Sequence, residues 1–185
     1  MVLKIIKDSD IGFPDGELNN PKTREASRGI VVKGNKVALL HKANKNEYKL
    51  PGGGLDAGEK PEEGFIREVM EETGCTVKDI KYLGTTEEHK TATNFKQISH
   101  IFIAKVKADT HTLHLTEKEI TEGGELVWTD IDTAISLVEN SFDQLVASQD
   151  ESVYMTKFII RRDTFILKHY KKLLQELGKE PISSK

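Results

Sequence analysis

Apolar positions along the chain follow two periodicities. Residues 29–33 and 36–41 form two apolar-rich runs joined by Gly34-Asn35, which predicts a β-hairpin. Residues 80–83, 96–107 and 125–129 read as further strands. Beyond Pro61 the period lengthens. Ile66, Val69, Met70 and Thr73 recur at i, i+3, i+4 and i+7, predicting a helix with one stripe toward a core. Its ends are punctuated: Glu59-Lys60-Pro61-Glu62-Glu63 puts proline and carboxylates at a helix start, and Thr73-Gly74 supplies a glycine stop. Another helix begins near Asp130 and includes Ile131, Ala134, Ile135 and Val138. A last one spans roughly 152–177, with Phe158, Ile159, Phe165, Ile166, Tyr170, Leu173, Leu174 and Leu177 near helical spacing. Residues 1–27 read as a short apolar start (Val2, Leu3, Ile5, Ile6) and a turn-rich connector that lies on the domain or reaches a partner subunit. Strand pairs interrupted by single helices predict an α/β fold, a mixed sheet between helices, built as one domain over residues 1–185.

Candidate chemistry gathers around the first helix. Pro51-Gly52-Gly53-Gly54 cannot continue a strand; it is a turn whose backbone can come close to a ligand or ion. Glu68, Glu71 and Glu72 fall together on the helix face opposite the predicted stripe, where they repel one another. A divalent cation removes that conflict, and all-oxygen donors beside a backbone carbonyl suit Mg2+ or Mn2+ rather than zinc. Taken alone, three glutamates on a helix are a solvated acidic face. The glycine turn and the register change that reading.

Gly53, five residues, Glu59, seven residues, then Arg67-Glu68-Val69-Met70-Glu71-Glu72-Thr73-Gly74-Cys75 resembles the Nudix box, G-x5-E-x7-R-E-U-x-E-E-x-G-U with U a bulky aliphatic residue. Seven fixed positions match; at roughly 7% usage per residue type, chance agreement at a given place is on the order of one in 10^8. Cys75 at the final U position is the one departure. Tyr48-Lys49-Leu50-Pro51 is similar to the aromatic-x-Leu-Pro segment common before the box. The resemblance implies an α/β/α sandwich and metal-dependent hydrolysis of a nucleoside diphosphate linked to another group, with water attacking phosphorus. It also implies metal ligation by Glu68, Glu71, Glu72 and the Gly53 carbonyl, with Mg2+ as the ion and Mn2+ as a substitute. Within the box Glu68 is the first choice of general base. A carboxylate on a distant loop is the alternative, and Glu122 is preferred there over Glu117 and Glu119. Arg67 reads as an organiser of carboxylates, four residues from both Glu63 and Glu71. Glu59 reads as a cap of the first helical turn.

Other residues carry weaker expectations. His41, Lys42, Lys45, Tyr48 and Gly54 are candidates to face the substrate. Trp128 reads as core, and His111 with His114 as strand or loop residues rather than a zinc pair. The last helix reads as a cover for the sheet; its sharper alternatives are a homodimer contact or a pocket wall. Net charge is −3 without a basic stripe, which gives no indication of duplex nucleic-acid binding, so a nucleotide-type small molecule is the expected partner. With 37% hydrophobic and 31% charged residues and no long apolar run, the chain is expected to be a cytoplasmic protein without a membrane partner. The single cysteine agrees with a reducing compartment. Substrate identity is left open. The proline that ADP-sugar hydrolases carry past the box is missing between Pro61 and Pro181. Tyr82 lies too early for the dinucleoside polyphosphate pattern, so a nucleoside triphosphate is the default. A non-catalytic nucleotide sensor on the same fold is the alternative function.

Overall fold

The computed structural model describes residues 1–110, 112–113, 117–146 and 152–177, apart from the side chains of 118 and 119. The His111/His114 pair and the carboxylate of Glu119 therefore lie outside the described residues.

Among the described residues an eight-stranded mixed sheet runs β1 (Val2–Ile6), β6 (Cys75–Lys90), β7 (Phe95–Asp109), β2 (Lys22–Lys33), β3 (Lys36–Lys42), β4 (Glu47–Lys49). Two short strands attach to it: β5 (Gly52–Gly54) on β2 and β8 (Gly124–Thr129) on β3. The β1/β6 and β2/β7 pairs are parallel and the others antiparallel. Helix α1 (Pro61–Thr73) covers one face over Val31, Ala38, Phe102 and Ala104. Helices α3 (Ile131–Gln144) and α4 (Val153–Leu177) cover the other over Ile30, Leu39, Leu50 and Ile101. A short α2 (Glu117–Thr121) precedes β8. This is the α/β/α sandwich expected.

The β2–β3 hairpin turns at Gly34, whose φ of +63° explains the glycine. Asp130 caps α3 by accepting from the Asp132 and Thr133 amides. Gly74 ends α1 at φ +65° and donates to the Met70 carbonyl at 2.9 Å.

Four expectations are corrected. The glycine segment does continue as a strand: Gly52–Gly54 pairs antiparallel with Arg28, Ser27 and Ala26 of β2, and it turns only in leading from β4 into that short pairing. Residues 22–27 belong to β2 rather than to a connector, because β2 pairs in parallel with β7 from Lys22 on. Strand β6 runs from Cys75 to Lys90, well beyond residues 80–83; β7 pairs with it from end to end of that range, with register shifts at Thr76/Val77, Lys78/Lys81 and Tyr82/Gly84. The stripe of α1 is rotated by one residue. Phe65, stacked on Phe102 with centroids 5.0 Å apart, is buried, whereas Ile66 is 40% exposed. The larger ring sets the rotation, and Phe65, Val69 and Glu72 then share the inward face. A glutamate of the box is thereby driven into the core.

Helix α4 covers the sheet as expected, but its buried face includes Arg162 and Asp163 beside Phe158, Ile160, Ile166 and Leu167. Leu174 and Leu177, expected on the apolar stripe, are exposed and line an open groove with Ile103 and Lys105.

Candidate active site

The glycine turn and α1 meet through two carboxylates. Glu72, 2% exposed, accepts the Gly52 amide at 2.7 Å with one oxygen and Lys49 Nζ at 3.0 Å with the other. Burial pushes its pKa up to about 7 against the opposing pull of Lys49 and the Gly52 amide; Glu68 adds to the rise. Glu68, one turn earlier on the same side, is half-buried, and its pKa is also raised by burial despite the adjacent Arg67. A Cβ on Gly53 would stand 2.4 Å from the Glu68 carboxylate. Glycine there lets the turn backbone lie directly against an acidic side chain.

Arg67 joins the loop to the helix. It holds Glu59 with two parallel bonds of 2.8 and 2.9 Å, donates to the Gly54 carbonyl at 3.1 Å, and reaches Glu68 at 2.9 Å and Glu71 at 3.1 Å. Its expected neighbour Glu63 instead accepts the Lys60 amide at 3.3 Å. Glu59 does not cap the helix: it accepts the Asp56 amide at 3.0 Å, and Arg67 holds its pKa down to about 2. The box arginine thus fixes the spacing between the glycine turn and α1.

The three glutamates do not form one patch. Glu72 is inside, Glu68 lies at the boundary and the Glu71 side chain is 43% exposed. Among the described residues no three acidic, histidine or cysteine side chains stand close enough together to hold an ion, and Lys49 and Arg67 contact the carboxylate oxygens of Glu72, Glu68 and Glu71.

Of the outlying candidates, Glu122 is buried between Lys42 Nζ at 2.8 Å and Lys45 Nζ at 2.7 Å. Burial acts to raise its pKa, yet the two ammonium groups prevail and hold it below the usual range. A carboxylate so neutralised is a weak base. Lys42 and Lys45 are correspondingly buried ion-pair partners, not exposed phosphate contacts, and Lys42 also lies 4.0 Å from buried Glu47. His41 and Tyr48 stack with centroids 4.2 Å apart, and Tyr48 packs against the core under α3 and α4. Strand alternation puts both on the face opposite Lys49 and Glu72. Gly54 offers no free backbone edge toward Arg67, because its carbonyl is taken; a Cβ on it would meet the Arg24 guanidinium at 2.1 Å. Lys49 and Asp163 escaped the sequence reading. Lys49 sat in view as the unspecified position before Leu50-Pro51, but only the fold brings it to Glu72.

Arg67 thus locks the glycine segment to a helix that carries one buried and one half-buried glutamate. The family model described as NUDIX domain matches residues 23–149, and the chain belongs to that family. An ADP-ribose pyrophosphatase from Methanocaldococcus jannaschii is 37% identical over 81 residues, 42% of this chain and 48% of that protein. An RNA pyrophosphohydrolase from Vibrio cholerae is 38% identical over 60 residues, 31% of this chain and 35% of that protein. The chain thus spans between about a third and a half of the curated relatives it matches. Among solved structures, a MutT protein from Bacillus halodurans aligns with TM-score 0.51 and 25% identity, over 76% of this chain and 84% of that one. Nudix hydrolases generally use divalent metals. No described helix is long and apolar enough to cross a membrane.

Proposed function

We infer that this chain is a Nudix pyrophosphohydrolase that uses Mg2+, with Mn2+ as a substitute, to cleave the pyrophosphate bond of a nucleoside diphosphate linked to another group. The observation that carries this reading is Glu72: a carboxylate 2% exposed, with its pKa pushed to about 7, beside half-buried Glu68 and a glycine backbone pressed against it. Lys49 and Arg67 balance these carboxylates in the metal-free chain, and a hard cation taking their place would meet donors that are all oxygens. The residues therefore fit a divalent metal. Glu68, Glu72 and the Gly53 carbonyl would hold it, with Glu71 swinging in from the surface. Bound there, the ion would supply neutralisation of phosphate oxygens and a lowered pKa for an attacking water.

Within this reading Arg67 keeps Glu68 against the glycine turn, and Glu72 keeps the turn against α1. Glu68 is the proposed general base: its raised pKa brings it toward the working pH, whereas Glu122 is held low by two lysines. Both relatives bear names that denote pyrophosphate cleavage, and a nucleoside triphosphate or nucleotide derivative is the proposed substrate.

The test is phosphate or pyrophosphate release from nucleoside triphosphates, oxidised nucleoside triphosphates, ADP-ribose, NADH and dinucleoside polyphosphates, with Mg2+, with Mn2+ and with EDTA. Turnover of at least one substrate that EDTA abolishes is expected. Nucleotide binding without turnover of any would favour a sensor and overturn the assignment.

A further inference from the structure

Two buried carboxylates grip the glycine turn from opposite faces of the sheet. On one face, Glu72 of α1 accepts the Gly52 amide at 2.7 Å. On the other, Asp163 of α4 accepts the Leu50 amide at 2.9 Å. Pro51 between them has no amide hydrogen, and its carbonyl accepts from Gly29 at 3.1 Å. The backbone leading into Gly53 is therefore tied at each residue.

Asp163 is fully buried, as is its neighbour Arg162 at 1% exposure. A helix that only covered a sheet would carry apolar side chains here, since buried charges are unfavourable unless paired and hydrogen-bonded. The pair is built for a purpose beyond cover. Arg162 Nε donates to Asp163 Oδ1 at 2.8 Å, leaving Oδ2 for Leu50, and Arg162 Nη1 is braced by Glu88 of β6 at 2.5 Å. Glu88 in turn pairs with Lys90. The aspartate is thus aimed by a chain of contacts that begins on β6. Helix α4 lies outside residues 23–149, so this support comes from beyond the family-matched segment.

We propose that Asp163, oriented by Arg162, is a positioning residue that fixes the turn so that the Gly53 backbone stands correctly against Glu68 and Glu72. The proposal rests on the metal-dependent hydrolase reading above. Asn at position 163 separates the two duties of the carboxylate: it has one acceptor oxygen, so either Arg162 or Leu50 must face its amide nitrogen. A second variant, Asp163→Leu, removes both acceptor contacts and leaves Arg162 paired with Glu88, so it serves should Asp163→Asn unfold.

Three readouts apply well below the melting temperature. The Leu50 amide should exchange with solvent at least ~10-fold faster while β6–β7 amides stay protected. Mn2+ affinity, followed by electron paramagnetic resonance, should fall about tenfold, and kcat should fall about tenfold. KM should remain within about twofold, because the turn sets the reacting centre and not nucleotide binding. A folded variant with wild-type Leu50 exchange and wild-type Mn2+ affinity overturns the proposal. Absence of turnover by the wild type would sink the hydrolase reading alone, since exchange and Mn2+ binding still decide the role of Asp163.

Discussion

Glu72→Gln is expected to lower kcat about a thousandfold, a loss of roughly 4 kcal/mol of transition-state stabilisation. Gln keeps the shape and still accepts the Gly52 amide, so the turn stays in place. What disappears is the negative charge, the one property that makes this buried oxygen a cation ligand. Folding should not suffer in proportion. An ionised Glu72 with a pKa near 7 is disfavoured by about 3 kcal/mol relative to an exposed glutamate at alkaline pH. Replacing it with a neutral isostere removes that penalty, which offsets the loss of the Lys49 bond, since the Gln nitrogen that would face Lys49 cannot accept. Steady-state hydrolysis and a thermal melt at pH 8 provide the check. Activity within fivefold of wild type would show that Glu72 is no metal ligand.

The same pKa sets a pH dependence. Glu72 binds its proton more tightly in the folded chain than in the unfolded one, about 7 against 4.5. Its contribution to stability is therefore fully present below pH 4.5 and lost as pH rises through 7. In EDTA the melting temperature of wild type should decline over that window more than that of Glu72→Gln. A cation must displace the proton, so Mn2+ affinity should tighten by about tenfold per pH unit up to pH 7 and level off above it. Burial raises Glu68 in the same direction, which can only steepen the slope. Calorimetric titration at pH 6, 7 and 8 measures this, and a pH-independent affinity would exclude a protonated Glu72 as the competitor.

How much of this was legible in the sequence depends on how local the cause is. The Pro61 start of α1, its Gly74 stop and the Gly34-Asn35 hairpin are written in adjacent residues whose backbone preferences act alone, whereas the pairing of Gly52–Gly54 with distant β2 is not. The face of α1 was not, because it is decided by the stack of Phe65 on Phe102, a residue far along the chain. That one-residue rotation is what buries Glu72 and exposes Ile66. Lys49 meets Glu72 across 23 residues, and Asp163 meets Leu50 across 113. Neither pairing leaves a periodic trace. Charged residues on α4 read as a solvated face until the helix is packed. Lys42 and Lys45 show the converse: two lysines in an apparent loop look exposed, and the fold buries them around Glu122.

Adjacent glycines of the turn should fail in opposite ways when given a methyl group. At Gly52, φ is +139° and a Cβ would stand 2.3 Å from both the Arg28 Cβ and the Ser27 carbonyl oxygen. Those atoms belong to β2 and cannot swing aside, and an L-residue resists this backbone angle. Gly52→Ala is thus expected to destabilise the fold by about 3 kcal/mol or more. At Gly53 the angle is not left-handed, and the obstacle is the Glu68 carboxylate at 2.4 Å, the free end of a flexible side chain. Glu68 can turn away, so Gly53→Ala should cost about 1 kcal/mol of stability. The displaced carboxylate would then no longer face the turn, and kcat should drop about a hundredfold. Melting curves and kcat for the two variants separate backbone strain from displaced chemistry. If Gly53→Ala kept full activity, contact between the Gly53 backbone and Glu68 would have no part in the reaction.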